Sequence, residues 1–333
     1  MIGALRANFI GRKNKMKGVT GFCKVMGLGL LCLAPLLAQA QTIKVTLLGT
    51  GSPQPRMDRF GPSILVEAGP EKLVFDCGRG AAQRLYQLQI PFQAVTGLFL
   101  THLHSDHVVG IPDLWLTGWV YGRQVPFRVW GPAGTEEMMS HLEKAYQFDI
   151  HMRRDVDEKS PAQGVAVMAK DSKEDVVYEQ NGVKVTAFDV NHGPVKPALG
   201  YRIDYAGRSV VLSGDTRFSE NLIRFSNGAD LLIHEVIASD SFRAAARARG
   251  RTPEQIQSVI DHHTTPEQTG EIFTRVKPKL AVYSHIVGDV RAEELIAATR
   301  KTYSGPLEVG EDLMVIEVGR QVQVRRPTAL GRP

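Results

Sequence analysis

The chain has 333 residues, 43% of them hydrophobic, with 40 lysines and arginines against 35 aspartates and glutamates and a formal charge of +5. That length and apolar content fit one large α/β domain or two small ones and exclude a disordered or fibrous chain. The positive excess lies in residues 1–40, where Arg6, Arg12, Lys13, Lys15, Lys17 and Lys24 meet no acidic residue; beyond them the balance is 34 to 35, net −1.

Residues 1–40 read as a secretory signal. The basic stretch runs into the apolar segment Val25–Leu37, and Ala38-Gln39-Ala40 stands before Gln41. That segment is short for a membrane span, and a start at Met16 gives the signal a length of 25 residues. The basicity is therefore a targeting feature and not a nucleic-acid footprint. Residues 41–333 are expected in the periplasm or outside the cell, with no stable membrane span once the signal is removed. Cys23 and Cys32 leave with it, so Cys77 has no intrachain partner and reads as a buried structural cysteine.

In chain order, Ile43–Leu48 alternates as a strand and enters the turn Gly49-Thr50-Gly51-Ser52-Pro53. Ser63–Glu67 and Lys72–Phe75 read as strands joined at Ala68-Gly69-Pro70. A helix over about 80–88 and a buried strand, Val95–Leu100, follow. Apolar residues recur with helical spacing through Val108–Val120. Phe127–Trp130 is a strand and Thr135–Phe148 an amphipathic helix. Arg153–Asp175, charged and without a period, is expected as a lid or a solvated loop. Strands resume at Val176–Gln180, Val183–Val190, Leu199–Tyr205, Ser209–Ser213 and Leu231–Val236. Helices follow at Ser239–Arg249 and Pro266–Val276, then the strand Leu280–Tyr283, the helix Ala292–Tyr303 and a last strand, Leu313–Val318. Two rounds of strands followed by helices without a linker predict an α/β fold, a four-layer αββα sandwich of two similar halves. Its chemistry is expected at one edge, where strand ends from both halves meet.

The strand Val95–Leu100 runs into Thr101-His102-Leu103-His104-Ser105-Asp106-His107. Alternate residues of an extended segment point the same way, so His102 and His104 can bind one metal, and the turn after them aims Asp106 and His107 at a neighbouring position. Imidazole and carboxylate donors suit zinc. Further candidate ligands stand at strand ends: His192 after Asn191, Asp215 after Gly214, and His285 after Ser284.

With these motifs the chain resembles the metallo-β-lactamase superfamily, in the branch containing ribonuclease Z and metallo-β-lactamase-type arylsulfatases. Gly214-Asp215-Thr216, His234-Glu235 and His263-Thr264-Thr265-Pro266-Glu267-Gln268 carry the branch. The resemblance implies two Zn2+ ions. It assigns His102, His104 and His192 to the first, Asp106, His107 and His285 to the second, and Asp215 as the bridge. It also implies that His263 is a proton donor oriented by Glu235. Two dications make a shared water nucleophilic near neutral pH, with Asp106 or Asp215 to orient or deprotonate it. A histidine held by a carboxylate can protonate the leaving oxygen. His234 reads as a neighbour of the site, His262 as solvated or structural, and His141 and His151 as surface residues.

Within the branch, little more than one hairpin separates His192 from Asp215, and no Gly/Pro-rich arm is visible. Together with the net charge of −1 and the signal, this predicts an exported arylsulfatase-like or phosphodiesterase enzyme acting on a small-molecule ester, with nucleic acid unfavoured as a partner. A ribonuclease Z-type tRNA 3′-processing endonuclease, a lactonase and a β-lactamase-like hydrolase are the alternatives; a non-enzymatic metal-binding protein is disfavoured because no ligand is missing. Trp115, Trp119 and Tyr121 read as core residues or as the wall of a leaving-group pocket. A homodimer is left open.

Overall fold

Between residues 42 and 327, the part described in this computed structural model, alternating and β-branched segments form two sheets of eight and seven strands. The signal expected at 1–40 lies outside the described residues. The first sheet takes β1 (Ile43–Gly49), β2 (Ser63–Ala68), β3 (Glu71–Phe75), β4 (Gly97–Phe99), β5 (Phe127–Gly131) and β6 (Val167–Asp171). The second takes β7 (Asp175–Gln180), β8 (Val183–Asp189), β9 (Leu199–Tyr205), β10 (Arg208–Leu212), β11 (Leu231–Ile237), β12 (Leu280–Val287) and β13 (Leu307–Val309). The chain then returns to the first sheet. β14 (Val315–Val318) lies antiparallel to β1, with Val315 opposite Thr46, and β15 (Val322–Arg325) extends that edge.

Strand alternation divides the core into layers, because residues two apart share a face. Val45, Leu47, Leu73, Phe75 and Phe99 point between the sheets, where they meet Tyr201, Val210, Ile233 and Val282. Their neighbours Leu48, Val74 and Leu98 point outward onto Leu85, Leu114, Trp115 and Met139 of the helix layer. On the second sheet Val211, Leu232 and Ala281 meet Leu222, Phe273 and Leu295 in the same way. The order is helix, sheet, sheet, helix, as the sequence predicts. Trp115 and Trp119 are buried in the first helix layer and Tyr121 is exposed, so these aromatic residues are not a wall of the catalytic cleft.

Several segments differ from expectation; the helix Glu220–Phe225 and the strands β13 and β15 were not expected at all. Arg153–Asp175 is neither a lid nor a plain loop: it holds the short helix Ala162–Val165 and then β6, a largely exposed edge strand paired parallel with β5, which explains the missing hydrophobic period. The helix Pro253–Ile260 has too few apolar positions to show by periodicity, although its capping box, Thr252 with Gln255, was present to be read. The strand at Leu280 continues past Tyr283 to Val287. Among the described residues no helix is long and apolar enough to cross a membrane.

Asp312 fastens the C-terminal return to the loop after β1 and to the helix Ala81–Gln87. Its buried carboxylate accepts from Thr50 N and Thr50 Oγ1, both at 2.9 Å, from Phe60 N at 2.7 Å and from Arg84 Nη2 at 2.9 Å. Asp312→Ala leaves two backbone donors without an acceptor and a buried guanidinium without its carboxylate, with Gln87 Oε1 at 2.9 Å as its remaining side-chain acceptor, and is expected to cost about 3–5 kcal/mol. Urea unfolding of wild type and variant measures this; a loss under about 1 kcal/mol would mean that water satisfies those donors instead.

Candidate metal centre and active site

The imidazoles and carboxylates of the site come from loops and strand ends of both sheets. After β4 the chain stays extended through His104, so His102 and His104 face one position, as alternation requires. The short helix Ser105–Val108 then turns Asp106 and His107 toward a second position. β8 delivers His192, which forms an isolated bridge with Val195. β10 delivers Asp215 through Gly214, whose φ is +59°. A Cβ there would stand 2.4 Å from the Leu199 carbonyl, so only glycine permits this turn.

β12 delivers His285 by a bulge. Tyr283 pairs with His234 and Ile286 with Val236, so Ser284 and His285 together oppose Glu235. His285 has a φ of +44°, and Asp76, behind His107, has +56°. Left-handed backbone at a non-glycine residue costs on the order of 1–3 kcal/mol and persists where the surroundings impose it.

These segments converge on Asp215. Its Oδ2 lies 3.4 Å from His285 Nε2, 3.5 Å from His107 Nε2, 3.8 Å from His102 Nε2 and 3.9 Å from His192 Nε2. Two ligands of one tetrahedral zinc ion, each about 2.0–2.1 Å from it, stand about 3.4 Å apart, so these separations suit a metal better than direct hydrogen bonds. One trio consists of His102, His104 and His192, with His104 Nδ1 2.9 Å from His102 Nε2 and 3.4 Å from His192 Nε2. A second trio consists of Asp106, His107 and His285, with Asp106 Oδ2 3.7 Å from His107 Nε2 and 3.4 Å from His285 Nε2. Buried His107 Nε2 and Asp215 Oδ1 have no hydrogen-bond partner. Unpartnered buried polar atoms aimed at one point are what a bound cation satisfies.

The electrostatics agree. Burial pushes His102 well down and His192 down to about 4, so both rings are the neutral form that ligates metals. Burial opposes charge on Asp215, yet His285 and His107 hold its carboxyl well below the usual carboxylate range. At His107 burial also opposes charge, and Asp215 with Asp76 overcomes it, raising the ring well above its ordinary value. The negative field that holds this proton is the field a divalent cation would occupy.

Residues outside the sequence-derived set orient the ligands. Asp76 Oδ2 accepts from His107 Nδ1 at 2.8 Å, while Asp76 Oδ1 accepts from Thr101 N at 2.8 Å. His192 Nδ1 donates to the His262 carbonyl at 3.0 Å, so His262 supports the site through its backbone rather than standing in solvent. Carboxylates and carbonyls behind ligating histidines fix the tautomer and ring orientation. The Asp76-Cys77-Gly78 motif was visible in the sequence, but its register with His107 needs the pairing of β3 with β4. The backbone of buried Cys77 holds the same segment: its N–H donates to the His107 carbonyl at 2.7 Å, and its carbonyl accepts from Gly110 N at 2.8 Å.

Glu235 and His263 sit beside the second trio. Glu235 Oε1 accepts from His263 Nδ1 at 3.1 Å, and from Thr216 N and Thr264 N, both at 3.2 Å. Burial lowers His263, but the Glu235 carboxylate more than reverses this and holds the ring up at about 9. His234 turns away: its Nδ1 donates to the Glu235 carbonyl at 2.7 Å and its ring packs against Phe273. His141 and His151 are exposed and remote from every motif of the site.

Above the ligands opens a cleft of about 670 Å³, walled by Ser52–Pro55, His262, His263 and the segment from Phe242 to Arg251.

The model of the family described as beta-lactamase superfamily domain matches residues 64–286. A ribonuclease Z of Mycolicibacterium gilvum is 35% identical over 288 residues, covering 83% of this chain and 96% of that protein. One of Mycobacterium avium is 36% identical over 284 residues, covering 83% and 98%. Among solved structures, the metallo-β-lactamase fold protein YhfI of Bacillus subtilis superposes with a TM-score of 0.65 at 19% identity, covering 83% of this chain and 99% of that one. Human tRNase Z, short form, gives 0.61 at 21% identity, with the same coverage.

These relatives overturn the expectation of an arylsulfatase-like enzyme acting on a small-molecule ester, with nucleic acid unfavoured as a partner. The alignment spans 96% and 98% of two ribonuclease Z proteins, so the short hairpin between His192 and Asp215 does not separate this chain from them. Nor does a net charge of −1 exclude RNA, because a net value averages over the surface: residues 239–251 carry Arg243, Arg247, Arg249 and Arg251 against Asp240 alone, and Arg249 and Arg251 line the cleft. On the family match across residues 64–286 and this near end-to-end similarity, the chain belongs to the beta-lactamase superfamily and, within it, to the ribonuclease Z family of metal-dependent hydrolases.

Proposed function

We propose that this chain cleaves a phosphodiester bond of RNA, as a ribonuclease Z-type 3′-processing endonuclease does, using two zinc ions. The observation that carries this reading is the pair of ligand trios that converge on Asp215, with the protonated His263 at their side. His102, His104 and His192 would hold one ion, Asp106, His107 and His285 the other, and Asp215 both. Such ions supply an acidified water and neutralise charge on the phosphoryl oxygens. Asp106 and Asp215 orient the attacking water by accepting its hydrogen bonds. His263, with Nδ1 tied to Glu235, has Nε2 free to give a proton to the leaving oxygen. Human tRNase Z and the mycobacterial ribonuclease Z proteins support RNA as the substrate class.

The test is cleavage of a tRNA precursor bearing a 3′ trailer by the purified, zinc-loaded chain. Endonucleolytic release of the trailer is expected. Turnover of an aryl phosphodiester with the precursor left intact would overturn the RNA reading and keep the hydrolase.

The signal proposed at residues 1–40 bears on where RNA is met, not on the bond cleaved. The exported fraction is expected to contain a chain beginning at Gln41; a full-length chain confined to the cytoplasm would remove the signal from this account.

A further inference from the structure

The catalytic cleft has one wall that the metal centre does not require. Leaving β11, the helix Ser239–Ala248, the turn Arg249–Arg251 and the helix Pro253–Ile260 fold back as a two-helix cap. Ile237, Ala246, Ile256, Ile260 and Val287 seal its underside. Helical spacing then presents Phe242 and Ala245 to the cleft, with Arg249 one turn further on the same side, because positions three and four apart share a face. Arg249 Nη2 donates to Gln54 Oε1 at 2.8 Å, which places its guanidinium across the mouth. Arg251, exposed at the same rim, makes no side-chain hydrogen bond or ion pair among the described residues.

The lining of the cleft brings together ligand histidines and carboxylates, the half-buried Phe242 and Val259, which also pack on the core of the cap, and the arginines Arg249 and Arg251. Its positive charge is local, because the chain beyond residue 40 has a net charge of −1. Guanidinium groups bind phosphates, and an aromatic face in a cleft receives an unpaired base. A duplex buries its base faces in its own stack and offers none to Phe242.

We propose that this cap is the surface along which a single-stranded RNA segment reaches the metal centre. Phe242 stacks on an unpaired base, and Arg249 and Arg251 contact phosphates of the same segment at the mouth of the cleft. This rests on the RNA reading given above. It assigns substrate positioning to a segment that holds no metal ligand.

The test uses the full, zinc-loaded chain and a single-stranded oligoribonucleotide with 3′-methylene phosphonate linkages, which keep the backbone charge but offer no leaving oxygen to be cleaved. Fluorescence anisotropy gives Kd from about 50 to 300 mM salt, where each phosphate contact adds roughly 0.7 to the slope of log Kd against log salt. The double variant Arg249→Ala/Arg251→Ala is expected to lower that slope by about 1.4. Arg249→Lys/Arg251→Lys is expected to restore most of it, since charge and not shape sets the slope. Phe242→Ala is expected to weaken binding roughly 5- to 150-fold with the slope unchanged, as loss of one base–aromatic stack does. Wild-type slope and affinity in the alanine variants would overturn the proposal, as would equal affinity for the duplex form. Cleavage of the tRNA precursor is scored separately. Oligonucleotide binding that depends on the cap, without precursor cleavage, sinks the endonuclease reading alone. Precursor cleavage with wild-type KM in the alanine variants sinks the cap alone.

Discussion

Asp215→Ala is expected to reduce hydrolysis by about 10³-fold or more and to lower bound metal below two equivalents per chain. The carboxylate stands between 3.4 and 3.9 Å from four imidazole nitrogens drawn from both trios, and among the described residues no other carboxylate approaches rings of both. Metal ions contribute several kcal/mol of charge stabilisation to such a transition state, and each 1.36 kcal/mol is tenfold in rate. Removing the carboxylate also leaves the imidazoles crowded together with less negative charge to offset a cation. Metal content by atomic absorption on the dialysed variant, beside its circular dichroism, decides the matter. A folded variant with two full equivalents would refute the bridging role, whatever its activity.

His263→Ala acts on a different step. A general acid contributes typically about 10²–10⁴-fold, so kcat should fall by that range while metal content stays at the wild-type level. The pH profile carries more information than the rate. His263 acts as an acid and its proton is held up to about 9, so wild-type activity is expected to fall as pH rises through that region. Bound cations draw the value down, so the alkaline limb lies at or below about pH 9. In His263→Ala this limb should vanish. In Glu235→Gln it should move to lower pH, because the carboxylate is what raises the ring against the effect of burial. Metal loss from His263→Ala would make the residue a ligand. An unmoved limb in Glu235→Gln would reduce the pair to a structural hydrogen bond.

Much of the site was legible because its signals are local. In Thr101–His107 the alternation of one extended segment and the turn after it aim four ligand candidates without help from the rest of the chain. The sandwich was legible for a related reason: strands that bury one face on a sheet and the other on a helix keep the apolar runs seen at Leu73–Phe75 and Leu98–Leu100. The neighbourhood of Asp215, His192 and His285 follows from motif resemblance, but its distances do not. Those depend on β10, β11 and β12 lying side by side, and on the bulge that puts Ser284 and His285 opposite a single residue.

Charge shows the divide most clearly. The net value of −1 beyond residue 40 is a true property of the sequence, and it pointed away from nucleic acid. Where charge acts is a property of the fold: the arginines of residues 239–251 count for little in the sum, yet Arg249 and Arg251 stand on the rim of the catalytic cleft. Asp76 divides the same way. In sequence it is one aspartate before Cys77-Gly78, and only the pairing of β3 with β4 sets its carboxylate against His107. Residue types and spacings determine which donors can share an ion, because ligation chemistry and strand periodicity are short-range. Which surface the substrate meets, and which carboxylate stands behind which ring, is decided by contacts between segments far apart in the chain, and those exist only once the two sheets have packed.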